Sequence, residues 1–596
     1  MTVVRGGGWE PGSSQAVEHA SELVSAPVVF FFLSAMRLCK QSIDFHLCRL
    51  RVRKIKCDEG RPACGRCVSA GRVCEGYGIW GGGGSFSSQY GHLGISTGAR
   101  PCALVPQALP SALPAAATAE EKSVFEWFRT RASRKLQGSL VLNFWDTLLL
   151  QASLSEPAIY HAVLALSSVH KQGPLSSDGV LRPDTAPDEN EQFTLRHYVK
   201  AINHLQPHFA SNERPSLRTA LITCVVFVAL DFLRGHYRAG QLHLLKGLKI
   251  MEDVGLVESQ NDGVICWRPC RQPTDDWIVE AFTRLQLQVE LFRHAYRHPC
   301  LVILRAPEPE IPERVFQSFN EAWQHLTQLL NKIFYLNHQS RQQAVTRKGF
   351  PPLPMQHQYI REELARWLGT YERSKEALEH RTGWYTDRVY HLLSAYHTMA
   401  CIMADTSLRP DDESAFDTHT SSFIMLIIQL AGLWTLTISS SGTRALPGRA
   451  VDMHRSLIDV GWLPPLYFTA TKCRVHRIRQ QAVRLLECAS HREGIWDARA
   501  TATAARKIVE LEEGDFYDNT GATSDEDEIS LTQSPTPQDL LLPVLPIDHR
   551  IREAEVVLSG APLDRILLYG RREREGVDCR VMLSEFDVQF QNWIDS

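Results

Sequence analysis

The chain has 596 residues; single hydrophobic cores stop growing near about 250 to 300 residues, so it divides into more than one folded unit. Its 44% hydrophobic and 22% charged content is that of a globular protein and excludes a largely disordered or fibrous chain. A net charge of −3 excludes chain-wide attraction to nucleic acid, so any contact with an anionic polymer has to be local.

The N-terminal 1–45 are atypical. Their apolar run, Ala26 to Met36, has eleven residues against the roughly 20 that span a bilayer. It follows Glu10, Glu18 and Glu22, where a secretion signal needs positive charge. The expectation is a soluble, intracellular protein with no membrane segment. Cysteine usage agrees: six of the fifteen lie between Cys39 and Cys74 and the other nine are scattered, the pattern of a reducing compartment with one metal site.

That site falls in 46–78, where Arg51 to Cys74 reads RVRKIKCDEGRPACGRCVSAGRVC. Cys57, Cys64, Cys67 and Cys74 follow the spacing Cys-x(6)-Cys-x(2)-Cys-x(6)-Cys, directly behind Arg49, Arg51, Arg53, Lys54 and Lys56. Thiolates so spaced in a small polar loop can converge on tetrahedral Zn²⁺ at about 2.3 Å. Gly60 and Pro62 let the chain reverse between the first two. Cys64-Gly-Arg-Cys67 would also pass as a redox motif, but its Gly, Pro and charged flanks lack the βαβ context such a motif needs. From Met36 to Trp80 ten Lys and Arg face four Asp and Glu, 10 − 4 = +6, a compact basic module on a near-neutral chain.

This stretch resembles the DNA-binding domain of the fungal binuclear zinc-cluster regulators, in which six cysteines hold two Zn²⁺ ions. The KIKCDE and RPACGRC runs, the last four cysteines and the trailing CEGYG carry the likeness. The family's first Cys-x(2)-Cys pair should fall on Leu47 and Leu50, whereas the chain offers Cys48 and Cys39. A two-residue shift on a helix turns a side chain by about 200°, so Cys48 cannot replace the missing ligand on the same face. Either an altered loop brings in Cys48 and Cys39, or the sequence before Arg51 is a gene model that reads through an intron. The composition of LVSAPVVFFFLSAM at 23–36 favours the second. The resemblance implies a short helix entering the major groove of double-stranded DNA at CGG-type triplets, with Lys54 and Arg53 at guanine edges and Arg51 and Lys56 at phosphates. It also implies residence in the nucleus and contact with the transcription machinery.

Residues 79–118 read as a flexible Gly/Ser/Pro linker: GGGG at 81–84 and PQALPSALPAAATA have neither helical nor strand periodicity. No coiled-coil heptad is evident there, which leaves a homodimer open. From 119 to 515 the pattern is helical. SEPAIYHAVLALSSVHKQG suggests Ser155 as N-cap, Pro157 in the first turn and Gly173 just past the end. QFTLRHYVKAINHLQ is expected to stop at Pro207, and Ala220 to Leu230 to form a central buried helix. Further helical pieces are expected near Trp277 to Tyr296, Ile360 to Tyr371, Tyr390 to Ala404, Phe423 to Leu436 and Cys473 to Ala489. The expected architecture is a small zinc-stabilised binuclear cluster module plus a large all-α multi-helix regulatory domain.

The body also resembles the fungal-specific transcription factor domain, through FWDTLLLQASLSEPAIYHAVLALSSVHKQ, YVKAINHLQ, ITCVVFVALDFLRGHYRAGQLHLLKGLKI and REGIWDARA. After it, 516–545 is an acidic, Pro-containing loop; from Glu510 to Glu528, across its start, nine acids interleave with Leu511, Phe516 and Tyr517, a solvated loop or an activation sequence. The final 546–596 holds short β-like runs, ILLYG and CRVML, without a readable role.

Cys266 and Cys270 have no nearby His or Cys to complete a metal set and read as structural thiols. His161, His170 and His197 sit at helical intervals and read as core or surface residues. No GxSxG, Walker loop or GxGxxG after a strand is present, so no catalytic residue and no enzyme is expected. The combined expectation is a sequence-specific regulator of RNA polymerase II transcription in a fungus, by analogy one serving a secondary-metabolite gene cluster. The other reading is a helical regulatory or scaffold protein whose degenerate cluster no longer binds DNA.

Overall fold

The computed structural model describes residues 117–172, 188–209, 213–260, 263–269, 273–292, 300–346, 353–382, 386–441, 451–517, 530–537, 539–574 and 577–595. The cluster module and the linker up to 116 lie outside them.

The body begins at α1 (Ala119–Trp127), whose N-cap Thr118 forms a capping box with Glu121. A π-helical turn, Phe128–Ala132, carries the rod into α2 (Ser133–Leu136). A second π turn, Phe144–Leu148, leads into α3 (Leu149–Ser155), followed by α4 (Pro157–Lys171) and α5 (Glu189–Phe209). The cap of α4 is Glu156, extended at φ −116 and without a side-chain cap bond, and Ser155 instead ends α3. Proline disfavours helical backbone in the residue before it, so Pro157 sets the break one residue later than a Ser cap would. Pro207 does not stop α5, which continues to Phe209; a proline in the last turn removes only a bond at the fraying end.

The central helix α6 (Arg214–Arg234) is enclosed on all sides from Arg218 to Leu233. At its end Gly235 takes φ +77, and His236 N–H bonds Asp231 O at 2.8 Å, a left-handed cap suited to glycine. α7 (Tyr237–Asp253) and α8 (Pro273–Phe292) pack on it. Among the described residues, two helices, Arg214–Arg234 and Glu413–Thr437, are long and apolar enough to cross a membrane by length and composition; the first, at 21 residues, extends well beyond Ala220 to Leu230. Its apolar window is 89% buried within the protein, as for the core helix of a bundle.

The second half stacks α9 (Phe319–Thr346), α10 (Leu353–Thr382), α11 (Thr386–Thr406) and α12 (Thr420–Ser441), each against the next or next but one. α13 (Leu463–Lys472), α14 (His476–Cys488) and α15 (Ala498–Glu513) close it. One apolar core runs from Val124 in α1 to Phe586 near the C-terminus.

The body is largely helical but not all-α. β1 (Val257–Ser259), β2 (Val264–Trp267) and β3 (Val302–Arg305) form a small sheet, antiparallel then parallel, with Val264 opposite Val302. Four-residue strands are too short to show a sequence period, and helices on either side hide them. β4 (Arg492–Glu493) and β5 (Trp496–Asp497) make a tight hairpin. The C-terminal residues form a four-stranded antiparallel meander: β6 (Arg552–Gly560), β7 (Leu563–Arg574), β8 (Val577–Asp587) and β9 (Asn592–Asp595). Ile566, Leu568, Leu583 and Phe586 join the common core, so this sheet is a wall of the body. Leu563 N–H donates to Gly235 O at 3.1 Å, and Arg341 pairs with Glu553.

The REGIWDARA stretch is the joint of the second half. The Glu493 carboxylate accepts N–H bonds from Gly461, Trp462 and Leu463, each at 3.0 Å, and so neutralises the start of α13. Asp497 caps α15 through Ala500 N–H and pairs with Arg492 at 2.6 Å. Gly494 sits at φ +55, and a Cβ there would lie 1.8 Å from Gln288 Oε1, so only glycine fits.

Candidate functional site

Cys39, Cys48, Cys57, Cys64, Cys67 and Cys74, and the basic Arg51, Arg53, Lys54 and Lys56, all lie outside the described residues. Their donor chemistry suits zinc: thiolates at 57, 64, 67 and 74 make a full tetrahedral set, and a second ion needs thiolates from elsewhere. Among the described residues the cysteines are unlike these. Cys224, Cys401 and Cys473 are free thiols. Burial pushes Cys401 and Cys473 up to about 12 and Cys224 higher still, so they are inert packing groups. Cys266 stands in β2, its thiol also raised by burial; Cys270 lies outside the described residues.

Among the described residues, the body holds a cavity of about 790 Å³. One wall is the α1–α2 rod, where Trp127, Arg131, Arg134, Lys135 and Gly138 recur at four, three, one and three residues and so line one face. Asp146, from the second π turn, is held by Gln137 Nε2 at 2.6 Å, and burial raises its pKa. The opposite wall comes from the start of α9, including Phe319, with Leu378 of α10 and Val389 of α11. Trp127 Nε1 donates to His170 Nδ1 at 3.3 Å, and the Trp127 and His454 rings lie 5.0 Å apart. Arg131 sits over the Trp127 ring at 5.3 Å. Lys135 reaches solvent but is enclosed by protein: burial first, then Arg388 and Arg455, lowers its pKa. No sequence motif marked this cavity. The available signal was Arg129, Arg131, Arg134 and Lys135 within seven residues of one helical stretch.

A second cluster joins helices that the sequence leaves apart. His161 Nδ1 and His197 Nδ1 are 3.0 Å apart, and His197 Nε2 lies 3.6 Å from Glu121 Oε1. Burial lowers both imidazoles to about 4, so each is neutral near pH 7. The three could surround a cation, but His197 turns opposite nitrogens to its two neighbours. Lys200 Nζ is also 3.6 Å from the same Glu121 oxygen, and Thr118 N–H occupies the other at 2.9 Å. A His161–His197 hydrogen bond between α4 and α5, with the Glu121 carboxylate of α1 in close electrostatic contact with His197 and Lys200, accounts for the arrangement, in keeping with core roles for these histidines. His170 is likewise buried, against Trp127.

Comparison with known proteins finds family models that match two separate stretches of the chain. Residues 48–79 match the fungal Zn(2)-Cys(6) binuclear cluster domain, which binds two zinc ions. The match starts at Cys48 and leaves out Cys39. Residues 126–290, from α1 to α8, match the fungal specific transcription factor domain. This chain carries both domains of the fungal zinc-cluster regulators. REGIWDARA lies beyond the matched part of the body. Among curated proteins, the transcription regulator lscL of Purpureocillium lilacinum is 28% identical over 209 residues, covering 34% of this chain and 48% of that protein. The aspercryptin biosynthesis cluster-specific transcription regulator atnN of Emericella nidulans is 28% identical over 225 residues, 34% of this chain and 33% of that protein. The chain thus spans about half the length of the first and a third of the second. No solved structure matches. Both domains and both relatives belong to regulators rather than enzymes.

Proposed function

We propose that this protein is a nuclear, sequence-specific DNA-binding regulator of RNA polymerase II transcription, with a two-zinc head and a helical regulatory body. The observation that carries this is the adjacency of RVRKIK to the Cys57, Cys64, Cys67 and Cys74 set within a chain that also carries the transcription factor domain. A module this small has almost no apolar core, and zinc, when bound, cross-links its thiolates and supplies the folding energy. Lys54 and Arg53 then hydrogen-bond guanine O6 and N7 of CGG-type triplets. Arg51 and Lys56 neutralise phosphates, which gives affinity and register without base preference. The printed name of the second relative, a biosynthesis cluster-specific regulator, supports a pathway-specific role in a secondary-metabolite gene cluster.

The test is titration of the full chain, zinc-loaded and chelated, against DNA containing CGG triplets and against a scrambled site. Zinc-dependent preference for CGG is expected. Sequencing of the message across codons 20–55 accompanies it, because a Cys-x(2)-Cys encoded before Arg51 would complete the six ligands. A zinc-loaded chain without preference for either DNA would leave the scaffold reading.

A further inference from the structure

We propose that the cavity between the α1–α2 rod and the α9–α11 helices is a binding site for a small organic anion with a flat or alkyl apolar body, its charged group held by Arg131, Arg134 and Lys135. This goes beyond the DNA-binding reading and stands or falls separately from it.

Four observations converge. The cavity, about 790 Å³, falls within the roughly 300 to 1,000 Å³ of small-molecule sites. Its lining is mixed: three cations come from the α1–α2 rod, while Phe319, Leu378 and Val389 come from α9, α10 and α11, beside polar Gln317, Ser318 and Asn320, and the Trp127 and His454 rings add flat surface. That is the complement of a molecule with one anionic end. Among the described residues, neither Arg131, Arg134 nor Lys135 has an acid within ion-pair distance; Asp146 is hydrogen-bonded by Gln137 and feels Arg134 only at longer range, and at Lys135 burial and the neighbouring Arg388 and Arg455 outweigh the more distant Asp452 and Glu493. Like charges gathered in a partly enclosed space repel one another, and an anion relieves that repulsion. Lastly, both π turns border the cavity, the first carrying Arg131 and the second Asp146. Such turns forgo regular helical hydrogen bonding and concentrate at functional positions. Here the first lies between Trp127 and Arg134, where an extra residue per turn sets the direction in which the following cations point.

The test uses the full chain and three probes of one shape: 2-naphthoate, 2-naphthyl phosphate and neutral 2-naphthamide, followed by tryptophan fluorescence. At least one of the two anions is expected to bind saturably and about tenfold or more tighter than the amide, a difference of ~1.4 kcal/mol. The better anion identifies the headgroup class. The double variant Arg134→Gln/Lys135→Gln changes two solvent-exposed side chains and should bring the anion down to the level of the amide. Arg131→Gln, read separately, should weaken the anion and leave the amide unchanged. Equal binding of anion and amide by the unmodified protein, no saturable binding of either anion, or full retention of the preference in these variants would overturn the proposal. Repeating the titration with the zinc chelated should leave it unchanged, which separates its failure from failure of the DNA-binding reading.

Discussion

Lys54 stands three residues before Cys57 and Lys56 one before it, so on a helix they differ by about 200° in direction. On the proposed reading, with Cys57 anchored at the metal, Lys54 would face the groove and Lys56 the DNA backbone. Lys54→Ala is therefore expected to flatten the preference for CGG over scrambled DNA, at a loss of about 1 to 3 kcal/mol on the specific site alone. Lys56→Ala should weaken both DNAs alike and lower the salt slope by about one unit. Binding titrations at several salt concentrations distinguish the two, and equal losses on both DNAs for Lys54→Ala would disprove its base-reading role. Residue chemistry of this kind was legible without coordinates, because metal-ligand spacing and charge are properties of adjacent residues. The His161–His197–Glu121 cluster was not, since its members come from three helices.

At the scale of elements, α6, α7 and α8 meet at points where side chains have been reduced to hydrogen. A Cβ on Gly247 would lie 2.3 Å from the Phe282 ring and 2.9 Å from Cys224 Sγ, and both neighbours are fully buried. Alanine is better than glycine in an isolated helix by about 1 kcal/mol, yet overpacking a closed core costs about 1 to 3 kcal/mol. Gly247→Ala should thus destabilise the body, with a lower urea midpoint at unchanged slope. A rise in midpoint would mean that α7 can shift away from α8. Element type was readable where an apolar period ran for ten residues or more, as in α4, and where an apolar run was too long for a strand, as in α6. It failed for β2 and β3, and the break at Glu156 was displaced by the constraint Pro157 puts on its neighbour.

For the whole molecule, the buried histidines set the response to acid. His397 and His243 are enclosed and burial lowers each to about 4, against about 6.5 in an unfolded chain. Between those values the unfolded chain binds more protons, so stability falls as pH drops from about 6.5 toward 4, by up to ~1.4 kcal/mol per pH unit for each such group. His170, at about 4, acts in the same direction. Asp231, pushed up to about 7 by burial, acts in the opposite one, as do Asp146, Glu156 and Asp459, whose carboxyls burial also raises; His161, His197, His236 and His325, all lowered by burial to about 4 or below, outweigh them. Urea midpoints measured across this window, with chelator present so that the thiolates make no contribution, should decline on acidification. A flat profile would show that these imidazoles reach water.

The sequence by itself determined a basic segment with zinc-ligand spacing and a predominantly helical body, because each rests on local spacing or on a period of 3.6 residues. Only the tertiary structure decided that the C-terminal strands complete the core, that Glu493 and Asp497 cap helices across the fold, and that Arg131, Arg134 and Lys135 face Phe319, Leu378 and Val389 over a cavity. Those contacts join residues up to several hundred positions apart, and no local pattern encodes which distant side chain will meet which. Packing does that, by burying apolar faces together and leaving polar groups to find partners wherever the helices bring them.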